Sequence, residues 1–232
     1  MDLKQVNKTL NAYIKPQTFP LALKLCQSES ELPERVRMPV RDMGYRITLC
    51  QGYGIARRFR WVLAVGKEDQ CCVGGASAMG FLAERANEEA DKRLETGKYS
   101  HLLIAPIEIA DFEPDLIMLY IDSAQAMRLA QSATMSAGES VSSVATGTGD
   151  CGDVIARTIK SGQCQFILPS GGDRVFGGTQ DNELIFTIPG SKVEAIINGL
   201  GETHKTGFRY PVLTDMRHAP ELPPFLQIPG DA

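Results

Sequence analysis

Two stretches of this chain repeat one local pattern, and that pattern restricts the folds open to it. In the first, the apolar run Trp61-Val62-Leu63-Ala64-Val65 leads to Cys71-Cys72-Val73-Gly74-Gly75-Ala76. In the second, the β-leaning run Val141-Ser142-Ser143-Val144-Ala145-Thr146 leads to Gly147-Thr148-Gly149-Asp150-Cys151-Gly152. Each reads as a strand, a turn, and a helix that opens on a thiol. A thiol there faces the positive end of the helix dipole and unpaired backbone N–H groups, which favours its thiolate. Strands alternating with helices at this spacing predict an α/β (α+β) chain with a mixed sheet.

The rest of the chain continues the alternation. Residues 2–14 read as a short amphipathic helix ending before Pro16, and residues 20–25 as a strand. A polar loop over 27–39 leads to a helix over 42–58, weakened by Gly44, Gly52 and Gly54. After the strand at 61–65, one helix is expected from Cys72 to Gly80 and another over 81–95, closed by Gly97. The second half opens with a strand over 115–121 and a helix over 123–135, whose Ala124, Met127, Ala130 and Ala133 recur at helical spacing and read as core. A strand at 141–146, the helix after Cys151 and a strand over 165–168 follow. The tight loop Ser170-Gly171-Gly172-Asp173-Arg174 then leads to a strand over 183–188 and a helix over 191–198 stopped by Gly199. Beyond His204 the chain is proline-rich and reads as a surface-wrapping tail over 204–232.

Residues 20–100 and 112–200 share this order of elements, so a duplication within one domain of residues 1–232 is open. On that reading Leu49 to Arg57 takes the place of Gln125 to Gln131, and Cys72 that of Cys151. A pseudo-two-fold would then bring both cysteine-bearing helix starts to one crevice, where α/β sheets bind ligands.

Composition narrows the function classes. The 232 residues are 43% hydrophobic, enough for a core without disulfide staples, and the formal charge is -4. No basic stripe or basic–aromatic run points to nucleic acid. Apolar runs such as Leu102 to Ile107 and Leu116 to Ile121 have strand length, too short for a bilayer. The opening Met1-Asp2-Leu3-Lys4-Gln5 lacks the basic-then-apolar pattern of a signal peptide. The expectation is a cytoplasmic protein with a small-molecule ligand, without nucleic-acid or membrane partners, and with homo-oligomerisation left open. The six cysteines, at 26, 50, 71, 72, 151 and 164, then read as thiols, most of them small buried hydrophobes.

Several of these residues together resemble a known family. Cys50-Gln51 with Ala56-Arg57, Cys72 with Gly74-Gly75-Ala76, Gly80-Phe81 and Gly97-Lys98-Tyr99 form a first set. Ala124-Gln125-Ala126-Met127-Arg128-Leu129, Cys151 and Gly172-Asp173-Arg174 form a second. In order and spacing, from about Pro20 to Gly199, they are similar to the uncharacterised ArCR family, also called domain of unknown function family 169. The resemblance implies no established activity. It implies a further cysteine just before the glycine-Arg loop; here that stretch reads Leu168-Pro169-Ser170-Gly171, with Cys164 upstream.

Three chemistries fit the residues. A metal or iron–sulfur centre would take Cys50, Cys72 and Cys151 as thiolate ligands, with Cys71 or Cys164 as a fourth, although the chain has no CxxC pair. A thiol-redox pair would use Cys72 and Cys151, one attacking and the other resolving, with Cα atoms within about 6 Å. A nucleotide or anion site would use Gly149 and Gly152 of a literal G-x-G-x-x-G at 147–152, with Asp173 lying 21 residues beyond Gly152 as a ribose partner. Gly74, Gly75, Arg57 and Arg174 complete the candidate ligand-binding set. The leading reading is a protein that binds a cofactor, metal ion or iron–sulfur centre through thiolates at helix N-termini. The alternative is a binding or regulatory module for a small anionic metabolite or nucleotide, with the cysteines merely buried. Enzymatic use of such a centre is left open.

Overall fold

Six short apolar segments pair edge to edge in the computed structural model of the chain, which describes residues 1–83, 89–138, 140–212, 222 and 226–227. They are β1 (Leu21–Cys26), β2 (Leu63–Gly66), β3 (His101–Pro106), β4 (Leu116–Ile121), β5 (Gln165–Ile167) and β6 (Leu184–Pro189). The order across the sheet is β2-β3-β1-β4-β6-β5, and every neighbouring pair is antiparallel. The two central strands, β1 and β4, pair with Leu21 opposite Met118 and Leu23 opposite Leu116. Outward from this seam each half lays down its first, third and second strand, as β1-β3-β2 and β4-β6-β5.

Alternation along the strands gives the sheet two buried faces. Leu21, Leu23, Leu25, Met118 and Tyr120 point to one, and Ala22, Ile117, Leu119 and Ile121 to the other. The first face is covered by α2 (Leu49–Phe59), α3 (Val73–Ala78) and a wide helical turn over 151–156 that continues as α5 (Arg157–Ser161). The second is covered by α1 (Leu3–Tyr13), α4 (Ser123–Ala137) and α6 (Gly190–Lys205). The class is therefore α+β. The expected mixed sheet is antiparallel among its six strands, and among the described residues parallel pairing is confined to the isolated bridges Arg37–Leu63 and Ile47–Gln70. Among the described residues no helix is long and apolar enough to cross a membrane.

Local chemistry explains where the elements begin and end. Asp2 caps α1 by accepting from the backbone N–H groups of Lys4 and Gln5. The helix expected over 42–58 starts only at Leu49, because Gly44 takes φ +78° and Thr48 forms a capping box with Gln51. The strand expected at 141–146 does not form; Ser143 Oγ instead accepts from the N–H of Phe166 on the edge strand β5. The loop at 170–174 is the entry to a wide helical turn over Asp173–Gly177. Gly199 does not stop α6; it lets the helix lie against α4, since a Cβ there would come within 2.6 Å of Ser132 Oγ. Of the helix expected over 81–95, residues 84–88 lie outside the described residues, and the remainder forms one tight turn at Ala90–Lys92. Most of the tail beyond residue 212 also lies outside them.

The α4–α6 contact contains a fully buried cation. Arg128 of α4 is 0% exposed and donates to Leu200 O at 2.7 Å and Thr203 Oγ1 at 2.6 Å, while its Nε and Nη1 have no partner. Burial lowers its pKa, and no salt bridge to it is found among the described residues. An unpaired buried charge is costly, whereas its alkyl stem packs like any hydrophobe. Arg128→Met is therefore expected to keep or raise stability, and Arg128→Ala to lower it by about 2–4 kcal/mol through the cavity left behind. Urea unfolding of both variants checks this; a large loss for Arg128→Met would show that the guanidinium's hydrogen bonds outweigh its burial.

Candidate functional site

The face of the sheet under α2 concentrates the polar chemistry. Spacing along α2 puts Cys50, Tyr53 and Arg57 on one side of the helix, three and then four residues apart. That side meets the turn Asp173–Gly177 from the second half. Two glycines set the approach: a Cβ on Gly54 would stand 2.7 Å from Gly177 O, and one on Gly177 would stand 2.9 Å from Cys50 O and also strike Asp173. The helix and the turn thus touch backbone to backbone, which only residues without side chains permit.

At this contact the ligating atoms of Cys50, Asp150 and Asp173 all lie within 4.8 Å of one another. Cys50 Sγ is 4.0 Å from Asp150 Oδ2. Ser170 fixes Asp150, its N–H donating to Oδ1 at 2.8 Å and its hydroxyl to Oδ2 at 2.6 Å. Asp173 receives the Tyr120 hydroxyl on Oδ1 at 3.2 Å and the Thr179 hydroxyl on Oδ2. Cys151 follows Asp150 and borders Cys50, and Tyr53 donates to its sulfur at 3.7 Å. Both carboxylates are buried, Asp150 at 2% and Asp173 at 0% exposure, while Cys50 is half-buried.

One cation stands near them. Arg57, 1% exposed, lies 3.8 Å over the Tyr120 ring and donates to Glu183 at 2.9 Å and to Thr179 Oγ1 at 3.3 Å. Tied to Glu183, it offsets little of the charge on the two aspartates. The protonation preferences show this. Burial raises the pKa of Asp173 to about 6 against the hydrogen bond from Thr179, and burial also raises Asp150 against the two bonds from Ser170. The neighbouring Cys151 thiol and then burial push Cys50 far up, and burial does the same to Tyr53 and Tyr120. Burial thus weakens the ionised forms of both aspartates and of Cys50, an effect that a bound cation reverses.

Of the residues expected in the site, the structure brings together Cys50, Cys151 and Asp173, with Arg57 behind them. Cys72 immediately precedes α3, half-buried, and is not among the converging ligand atoms. Cys71 is exposed, and Cys164 packs on the opposite face of the sheet with residues of α4 and α6. No disulfide joins any of the six cysteines. The equivalence drawn between Cys72 and Cys151 does not hold in the topology. Cys151 opens the helix before the second strand of its half, and the residue in that position in the first half is Cys50, in the first turn of α2.

The glycine fingerprint loses its context, because no strand precedes Gly147. Gly149 O accepts from Asp153 N at 3.0 Å, and Gly152 allows close approach of Lys92 O, 2.8 Å from where a Cβ would lie. Gly74 is exposed and Gly75 buried against Gln70. Arg174 is bonded to Gln180 O at 2.8 Å and paired with the exposed Asp181 at 3.4 Å. Sequence reasoning missed Asp150 as a member of the cluster, together with Tyr53, Tyr120, Ser170, Thr179 and Glu183. Two signals were available: Asp150 adjoins Cys151, and Ser170 stands in the stretch where the family resemblance places a further cysteine.

A family described as uncharacterised ArCR matches residues 9–199 of the chain. An uncharacterized protein of Methanocaldococcus jannaschii is 24% identical over 204 residues, which cover 78% of this chain and 85% of that protein. No solved structure matches.

The glycine contact gives a direct test of how the site is assembled. Gly54→Ala is expected to cost about 1–3 kcal/mol by overpacking against Gly177. Gly149→Ala, with nothing within 4 Å of the new methyl, should change stability by less than about 0.5 kcal/mol. Chemical denaturation of the pair decides; equal costs would mean that α2 and the turn at 173–177 are not in contact.

Proposed function

The chain belongs to the uncharacterised ArCR family, whose match spans every residue of the cluster, and we propose that it binds a single divalent transition-metal ion there. Cys50 Sγ and the carboxylates of Asp150 and Asp173 are the ligands, and Cys151 is the neighbouring thiol able to serve as a fourth. The observation that carries this reading is the convergence of one sulfur and two buried carboxylates within 4.8 Å. Thiolate with carboxylate oxygen suits borderline ions such as Zn²⁺ better than an all-oxygen ion such as Mg²⁺. Ser170, Thr179 and Tyr120 hold the carboxylates through outer hydrogen bonds, an arrangement typical of the shell behind metal ligands. An ion would also offset the burial cost that raises the pKa values of the two aspartates and Cys50.

A four-thiolate iron–sulfur cluster draws less support, since Cys164 lies across the sheet and Cys71 at the surface. The anion-site reading draws less support from Arg57, which is bound to buried Glu183, while the acid that meets Arg174, at 3.4 Å, is the exposed Asp181. We also read residues 20–100 and 112–200 as copies of one unit, supported by the matching strand order on either side of the β1–β4 seam. On that reading the ion sits where the copies meet, with Cys50 from one and Asp150, Cys151 and Asp173 from the other.

The test is anaerobic loading with Co²⁺, followed by absorption and elemental analysis. One cobalt per chain with a near-ultraviolet thiolate-to-cobalt band is expected. Cys50→Ser should remove the band, Asp173→Asn should weaken binding by at least about tenfold, and Cys164→Ser should change neither. Wild-type protein that takes up no cobalt or zinc, or a Cys50→Ser variant that binds as wild type does, would overturn the proposal.

A further inference from the structure

A cleft of about 450 Å³ opens at the opposite end of α2 from Cys50, between the last turn of that helix, α1 and residues 16–20. Clefts of this size take small ligands. Three kinds of group line it. Asn7 and Asn11 of α1 and Gln17 bring side-chain amides. Asn11 Nδ2 donates to Asn7 O at 2.9 Å, and among the described residues nothing else pairs with these three amides. Phe59, the last residue of α2, offers an aromatic face and is 67% exposed. Arg58 brings a cation: its Nη2 donates to Gly178 O at 2.6 Å, and no carboxylate among the described residues pairs with it. Arg57 lines the cleft too, but Glu183 holds it, and Arg60 holds Glu108, the acid of the lining.

Each kind of group recognises a different part of one class of molecule. A side-chain amide presents a donor and an acceptor side by side, the pattern found on the edge of a nucleobase. An exposed aromatic ring is a stacking platform for a base. An arginine without an acidic partner suits a phosphate, and one such cation matches one phosphate group. Simpler ligands use less of the lining. A free phosphate engages Arg58 alone, and an apolar molecule covers the amides and the cation without pairing them.

We infer that this cleft binds a nucleoside monophosphate, with the base on Phe59 and against the amides of Asn7, Asn11 and Gln17, and the phosphate on Arg58. None of these five residues belongs to the Cys50 cluster or to the glycine stretch at 147–152, so the site stands without the ion.

Calorimetric titration of the full chain with adenosine, guanosine, cytidine and uridine monophosphates tests the inference, with the parent nucleosides and ribose 5-phosphate as partial ligands. At least one nucleotide is expected to bind at least about tenfold more tightly than its nucleoside and than ribose 5-phosphate. Phe59→Ala should lose at least about fivefold, and Phe59→Trp should bind as tightly as wild type or more so. Arg58→Gln should lose at least about tenfold for the nucleotide and nothing for the nucleoside. Both positions are exposed, and cobalt or zinc uptake should stay unchanged in all three variants. Wild-type protein that binds none of the four nucleotides, or that binds ribose 5-phosphate or a nucleoside as tightly as the nucleotide, would overturn the inference. Wild-type affinity for the nucleotide in Phe59→Ala, or in a folded Arg58→Gln, would do the same.

Discussion

The ion pair between Arg57 and Glu183 sets the geometry on which the rest of the site depends. Arg57 comes from α2 in the first half of the chain and Glu183 from the entry to β6 in the second, and their contact at 2.9 Å is almost wholly buried. The guanidinium lies 3.8 Å over the ring of Tyr120, which rises from the central strand β4, and donates to Thr179, which in turn donates to Asp173. One cation thereby fixes the helix that carries Cys50 relative to the turn that carries Asp173. Burying both charges costs several kcal/mol per ion before their attraction returns it, so the pair contributes geometry more than stability. Planar, five-donor arginine suits the role, since one side chain must reach a carboxylate, a hydroxyl and an aromatic face together.

Backbone contact supplies the second constraint. The ion pair alone does not set how closely α2 approaches the turn at 173–177. Gly54 and Gly177 set that distance by letting main chain meet main chain. The sheet orders the same arrangement from below, because Tyr120 lies on the face that α2 covers and its neighbours Leu119 and Ile121 lie on the other. A shift of one residue in β4 would turn Tyr120 away from both Arg57 and Asp173.

Much of this fold was legible in the sequence where a single local rule governs. The apolar runs at 20–25, 115–121 and 183–188 became β1, β4 and β6, and the helix stripe at 123–135 became α4. Failures came where two rules compete. Residues 141–146 have β-branched composition, yet Ser143 gives its hydroxyl to the edge of β5 and the segment forms no ladder. Residues 42–58 have helical spacing, but Gly44 and the Thr48 cap divide them. The candidate cluster was half legible: of the cysteines expected at helix starts, Cys151 borders it and Cys72 does not join it. Pairing Cys72 with Cys151 followed chain order after a strand, whereas the sheet places third strands inside second ones and aligns Cys50 with Cys151. Asp150 and Asp173 carry no sequence sign of being buried, since an acidic residue beside glycine reads equally well as a turn.

At Cys50, in the first turn of α2, a helix start does not by itself favour the thiolate, for a reason of magnitude. A helix dipole contributes about 0.3–1 kcal/mol near the surface, up to about 2 when partly buried. Burial and like-charged neighbours move a pKa by up to about 3–5 units, each unit worth about 1.4 kcal/mol. At Cys50 the second effect wins, and the neighbouring thiol, burial and the two aspartates hold the proton on sulfur despite the helix start. The same groups become a strong donor set once a divalent cation lies among them, because each repulsion that raises a pKa turns into an attraction toward the ion. One local arrangement of charge thus disfavours a free thiolate at Cys50 and supports the proposed metal reading.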